Sequence, residues 1–217
     1  MSTDRFAERR AALLGQLGET LAIVPGGREQ TRNDDVAHPF RQDSDFHFLT
    51  GFAEPDAVAV LDATSDEPFT LFVRPRDPDK EAWNGLRAGV EGAITRFGAD
   101  AAFDLDELDG WLRRRLAGRR SVGYSLGGRL DASVLRAIGS VKAYASRSGI
   151  DVPVEIVDVG ALIAELRVIK SAAEIEALRE ACRISAIAHN EAMRFAAPGH
   201  SERQVQAVLE YVFGVMD

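Results

Sequence analysis

Ala57-Val-Ala-Val-Leu-Asp-Ala-Thr-Ser-Asp-Glu-Pro-Phe-Thr-Leu-Phe-Val73 holds two apolar runs, Ala57–Leu61 and Phe69–Val73, on either side of the turn-rich segment Asp62–Pro68. The pattern predicts two paired strands. Upstream, Leu21-Ala-Ile-Val24 is a short apolar run closed by Pro25-Gly-Gly, which suits a buried strand. Phe46, Phe48 and Thr50 recur at period two and predict a further strand. Downstream, Ser121-Val-Gly-Tyr124 and Val154-Glu-Ile-Val157 are strand candidates. Helical spacing links these runs: Phe6, Leu13, Leu14 and Leu17; then Leu105, Leu108, Leu112 and Leu116; then Leu130, Val134, Ile138 and Val141. Alternating helices and strands predict a covered sheet, and the hairpin-like centre makes it mixed, so the fold class is α/β.

After Val159 the pattern changes. Ala161–Ala197 reads as nearly unbroken helix, with Ile175, Leu178, Cys182, Ser185 and Ala188 advancing three or four at a time. Ser171-Ala-Ala-Glu174 has capping-box spacing and should start this helix, and Pro198-Gly199 ends it. Ser201-Glu-Arg-Gln204 is a second capping box, followed by an apolar stripe of Val205, Val208, Leu209 and Val212 that needs a cover. The boundary this implies separates an α/β domain at 1–168 from a helical segment at 169–217.

The chain has 217 residues, 46% of them hydrophobic and 28% charged, which supports a folded core rather than disorder. Its net charge of −8 opposes nucleic-acid and anionic membrane partners. No apolar run has the length of a membrane span, the N-terminus lacks an apolar leader, and the single cysteine, Cys182, has no internal disulfide partner. A cytoplasmic location is the expectation.

Gly123-Tyr-Ser-Leu-Gly127 matches the nucleophile-elbow pattern around Ser125, with Asp131, Asp151 or Asp158 and His189 or His200 as triad candidates. The simpler reading is a glycine-rich turn leaving a strand. Arg32–His47 carries four aspartates and two histidines, so a metal site is one reading. The other is that Arg41, Gln42, Ser44 and Asp45 satisfy backbone groups around a turn set by Pro39. Arg113–Arg115, flanked by Leu112 and Leu116, reads as a solvated helix face. Trp83 stands in a polar, glycine-flanked stretch, either partly packed or serving as an interface or ligand anchor.

The string Arg41-Gln-Asp-Ser-Asp-Phe-His-Phe-Leu-Thr-Gly-Phe52, with Glu54-Pro-Asp-Ala-Val58 after it, resembles the amino-terminal domain of Xaa-Pro aminopeptidases (aminopeptidase P). Arg167–Arg179 resembles that family's junction helix, and Pro198–Gln204 resembles the turn into the next helix. The resemblance implies a creatinase-like domain, a mixed β-sheet flanked by helices, followed by two helices of an incomplete pita-bread metallopeptidase domain. It implies an activity for the whole family enzyme, removal of an N-terminal residue that precedes proline, with two manganese ions held by two Asp, one His and two Glu. None of those ligands has a matching motif here, so no catalytic residue, metal ligand or cofactor is assigned to this chain, and alone it should be inactive.

The resemblance also implies substrate-entrance roles for Asp35, Trp83 and Arg147, with Trp83 reaching into a neighbouring subunit's site, and hence a homo-oligomer. His38 and His47 stand where the family commonly has aromatic residues. A standalone binding or assembly module is the alternative function, and a serine hydrolase using Ser125 the third.

Overall fold

The computed structural model describes residues 4–216, those at positions 4 and 146–148 by their backbone alone. The chain divides into two compact units between Leu166 and Arg167.

In chain order the first unit runs α1 (Asp4–Leu17), β1 (Leu21–Pro25), a hairpin of β2 (Thr31–Asn33) and β3 (Val36–Ala37), and α2 (Ser44–Thr50). It continues with β4 (Val58–Leu61), β5 (Phe69–Val73), α3 (Pro78–Asn84), α4 (Gly89–Phe97), β6 (Ala101–Asp104) and α5 (Leu108–Arg115). β7 (Ser121–Gly123), α6 (Asp131–Ser148), β8 (Glu155–Val157) and α7 (Val159–Leu166) complete it. The main sheet has six strands in the order β6-β5-β4-β1-β7-β8. β1 is antiparallel to β4, and β4 to β5, whereas β1/β7, β7/β8 and β5/β6 are parallel. The sheet is therefore mixed, as the central hairpin required.

Strand alternation sorts the core into two faces. Ala22, Val24, Ala59 and Leu61 face one cluster with Leu13 of α1, Phe46 and Leu49 of α2, Ala93 of α4 and Ile163 of α7. Leu21, Ile23, Val58 and Val60 face the other, with Trp111 and Leu112 of α5 and Val134 and Ile138 of α6. Helices thus cover both faces of the sheet.

The period-two reading of Phe46, Phe48 and Thr50 is overturned: these residues belong to helix α2. Asp43 caps it, its carboxylate accepting from the N–H of Asp45 at 3.0 Å and of Phe46 at 2.9 Å. Gly51 ends it in the left-handed conformation at φ 64°, where a Cβ would meet the Phe6 ring at 2.6 Å. Phe46, Leu49 and Thr50 form the buried face, a three-and-four spacing that sets the period. Guanidinium donors from α1 close the helix end, with Arg9 donating to the Phe48 carbonyl and Arg10 to the Leu49 carbonyl, each at 3.0 Å. Burial of Arg10 against Phe69 lowers its pKa to about 10.

The second unit holds α8 (Ala172–Phe195) and α9 (Glu202–Met216). The helix expected across 161–197 is broken between Leu166 and Ala172, and both capping boxes form. Ser171 Oγ accepts from the Glu174 N–H at 3.3 Å while the Glu174 carboxylate accepts from the Ser171 N–H at 2.8 Å. In the second box Gln204 Oε1 accepts from the Ser201 N–H at 2.8 Å. Ala188 and Ala192 of α8 and Val212 of α9 are buried, and Val205, Val208 and Leu209 are half-buried. The stripe on α9 finds its cover in α8. Among the described residues no helix is long and apolar enough to cross a membrane.

Candidate functional site

Arg32–His47 holds the densest set of polar side chains, and the structure turns two of them, Gln42 and Asp43, onto the backbone, while Arg41 donates to Ser44 Oγ at 3.4 Å. Gln42 Oε1 accepts from the Gly27 N–H at 2.6 Å and the Asp43 N–H at 2.8 Å, while its amide donates to the carbonyls of Phe52 at 3.1 Å and Glu54 at 2.8 Å. One side chain thereby ties the end of β1 to both ends of α2. His47 meets Phe6 edge-on at 6.1 Å. Desolvation there, reinforced by Arg5 and Arg9, lowers its pKa. Among the described residues no group of three or more His, Cys, Asp or Glu gathers as metal ligands. The described residues thus offer no set that fits a metal pair, and no metal chemistry is assigned to them.

Ser125 follows β7, and its hydroxyl is fully engaged. It donates to Asp158 Oδ1 at 2.5 Å and accepts from the Gly160 N–H at 2.9 Å. The Ser125 hydrogen bond is the main cause holding the Asp158 carboxyl below the usual carboxylate range. Asp158 also accepts from the Gly160 N–H at 3.0 Å, capping α7. A Cβ at position 160 would meet Ser125 Oγ at 2.8 Å, so glycine permits the approach. Asp131 accepts from Tyr124 Oη at 2.9 Å and from the N–H groups of Gly127 at 3.1 Å and Gly128 at 3.0 Å. Burial and this carboxylate push the Tyr124 phenol up to about 12.

The glycine-rich turn is therefore a structural connection. His189 Nδ1 lies 2.8 Å from the Ser185 carbonyl, and His200 Nδ1 lies 2.8 Å from the Phe195 carbonyl. Ser125 meets a carboxylate directly rather than an imidazole, which is not the contact of a triad nucleophile.

The expected entrance residues occupy separate elements. Asp35 is exposed on the turn of the β2/β3 hairpin, beside Asp34 at φ 44°. That hairpin forms its own two-stranded sheet. Trp83 is on α3 and is 90% exposed, with Leu86 at 81% just beyond the helix. Arg147 belongs to α6, and its side chain lies outside the described residues. No hydrogen bond or ion pair joins Asp35 to Trp83.

What holds Trp83 outward is polar. Glu81 is the one buried residue of α3, and its carboxylate accepts from Arg76 Nε at 3.0 Å, Arg76 Nη2 at 2.7 Å and the Arg87 N–H at 3.2 Å. Hydrogen bonding to Arg76 holds the Glu81 carboxyl below its ordinary pKa. Arg87 Nη1 donates to the Pro75 carbonyl at 3.1 Å, and the Ala88 N–H donates to Glu54 Oε1 at 2.6 Å. Asp77 caps α3 through the Lys80 N–H at 3.3 Å. The charged sequence around Trp83 carries these partners, but nothing in its spacing marks Glu81 as the buried one.

Residues 6–123 match the family described as aminopeptidase P, N-terminal domain. The chain is 34% identical over 218 residues to the Xaa-Pro aminopeptidase of Escherichia coli (strain K12), a match that covers 98% of this chain and 49% of the relative. Pseudomonas aeruginosa aminopeptidase PepP superposes with a TM-score of 0.94 at 40% identity, over 100% of this chain and 50% of that one. A zinc-substituted E. coli aminopeptidase P in complex with product superposes with a TM-score of 0.92 at 34% identity, over 99% of this chain and 50% of that one. The chain spans about half the length of the relatives it matches.

Proposed function

Because the chain belongs to the aminopeptidase P N-terminal domain family, we propose that it serves as the amino-terminal, non-catalytic half of an Xaa-Pro aminopeptidase. The observation that supports this most directly is one continuous correspondence over the whole chain, both units included, with half of an aminopeptidase P. In this reading the metal pair, manganese in the working enzyme, belongs to the other half. The present chain then supplies walls and subunit contacts.

Asp35 offers an exposed carboxylate able to pair with a peptide's α-ammonium or a partner's arginine. Trp83 offers a flat apolar ring that excludes water when it closes over a neighbouring subunit's site. In the same reading Arg147 is the third entrance residue. The substrate is a peptide with proline at its second position, and the assembly is a homo-oligomer in the cytoplasm. Neither nucleic acid nor membrane takes part.

A chimaera tests the reading, with this chain in place of the matching half of the E. coli enzyme. It should release the first residue of an Ala-Pro peptide in a metal-dependent way, and Trp83→Ala should lower kcat/KM by roughly tenfold or more, the loss of one water-excluding contact. A soluble, oligomeric chimaera without activity would overturn the proposal. So would proline-specific release by the present chain alone with added manganese. The alternative of a standalone assembly module draws on the same exposed Trp83 and Leu86; association by light scattering together with an inactive chimaera would favour it.

A further inference from the structure

We infer that Glu81 is a positioning residue for Trp83, an inference that rests on Trp83 being a wall of the substrate site. α3 has seven residues, too few to hold a helix in water without support from outside. It has no buried apolar residue to provide that support, and its only buried residue is a glutamate, 5% exposed at the side chain. A buried carboxylate is costly unless paired, and this one has three donors.

The donors come from both flanks of the helix. Arg76 precedes the N-cap and engages with two nitrogens, fixing direction as well as distance. Arg87 follows the helix and donates its N–H, so the segments entering and leaving the helix are drawn to one point. Trp83 is two residues beyond Glu81, which at roughly 100° per residue puts it on the opposite face. Anchoring Glu81 inward therefore aims Trp83 outward. An apolar anchor would allow the short helix to roll, whereas a two-pronged ion pair fixes its rotation. The clamp gives the exposed ring an orientation that burial cannot supply.

The chain has two tryptophans, Trp83 exposed and Trp111 buried in the sheet core, so 5-fluorotryptophan labelling of the whole 217-residue chain places one reporter at the site and one internal control. Glu81→Gln and Arg76→Ala should each shift the Trp83 fluorine resonance toward free fluorotryptophan and narrow it by about half, as side-chain and helix motion becomes faster. The Trp111 resonance should not move. Amide exchange at Arg87 should accelerate in Glu81→Ala, which removes the acceptor altogether. An unchanged Trp83 signal in both variants would overturn the inference, as would parallel changes at Trp111, which report general loosening. If the clamp behaves as expected but Trp83→Ala leaves the chimaera's kcat/KM intact, the reading of Trp83 fails and the positioning role falls with it.

Discussion

Helices α2 and α3 are both seven residues long, both begin on an aspartate cap and both end at a glycine, yet they are held in opposite ways. α2 buries Phe46, Phe48, Leu49 and Thr50, and its surrounding polar side chains are spent on backbone groups. α3 buries Glu81 alone and leaves its largest apolar side chain in solvent. The polar density around α2 closes a loop onto the helix, whereas α3 is held by one carboxylate and leaves its tryptophan to solvent.

The comparison breaks first at Phe46. Its side chain is fully buried, so Phe46→Ala should cost about 3–5 kcal/mol, the usual range for emptying a core aromatic site. Urea unfolding followed by the emission of buried Trp111 measures it on the correct unit. A loss below about 1 kcal/mol would mean α2 is not part of the core.

Gln42→Ala comes next. It strips partners from two N–H groups and two carbonyls at once, but part of that set reaches water, so about 2–3 kcal/mol is expected. Gln42→Glu sharpens the point, since it keeps the acceptor and loses the two donated bonds. It should cost at least as much as alanine, because a carboxylate oxygen would then face the Phe52 and Glu54 carbonyls with no proton between them. If Gln42→Ala matched a neutral surface change, the polar cluster would recover its claim to a functional role. Asp43→Ala should cost about 1 kcal/mol through loss of the α2 cap.

Much of this was legible beforehand. β1, β4, β5, β7 and β8 announce themselves as apolar runs between breakers, and β4/β5 with their short turn give the mixed sheet. β6 escapes because Ala101-Ala-Phe-Asp104 is short and half alanine, and its strand character comes from pairing with β5. α2 was misread because Phe46, Phe48 and Thr50 satisfy period two by coincidence. The cap at Asp43 and the glycine at 51 carried the contrary signal. The break after Leu166 was hidden because α7 and α8 share helical periodicity. At the site, Trp83 was recognisable as an oddity in polar company. Glu81 was not, because burial of one carboxylate among Asp77, Asp79 and Glu81 depends on where Arg76 and Arg87 are brought by the fold.

Acid should affect the two helices unequally. The Arg76 hydrogen bond depresses the Glu81 pKa below its ordinary 4.5, so this carboxylate contributes stability above that value and loses it as pH falls through its lower folded value. Asp77, depressed mainly by its hydrogen bond to the Lys80 ammonium, titrates in the same direction. The Trp83 fluorine resonance of the wild type should therefore move toward that of Glu81→Gln below about pH 4.5, while the variant responds only through Asp77. A reporter on α2, which is held by the Asp43 cap, Phe46 and Gln42, should not follow the Glu81 change. A Trp83 signal that stays flat over this range would show that charge is not what holds α3.

The smallest expected effect is the most discriminating. Trp83→Ala removes the larger part of a big side chain, yet with the indole 90% exposed the unfolding free energy should change by no more than about 0.5 kcal/mol. Measured by the same urea transitions as Phe46→Ala, the two aromatic deletions should differ by several kcal/mol although they stand on helices of equal length and similar caps. A loss above about 1 kcal/mol for Trp83→Ala would make the ring part of the core and remove the contrast between α2 and α3.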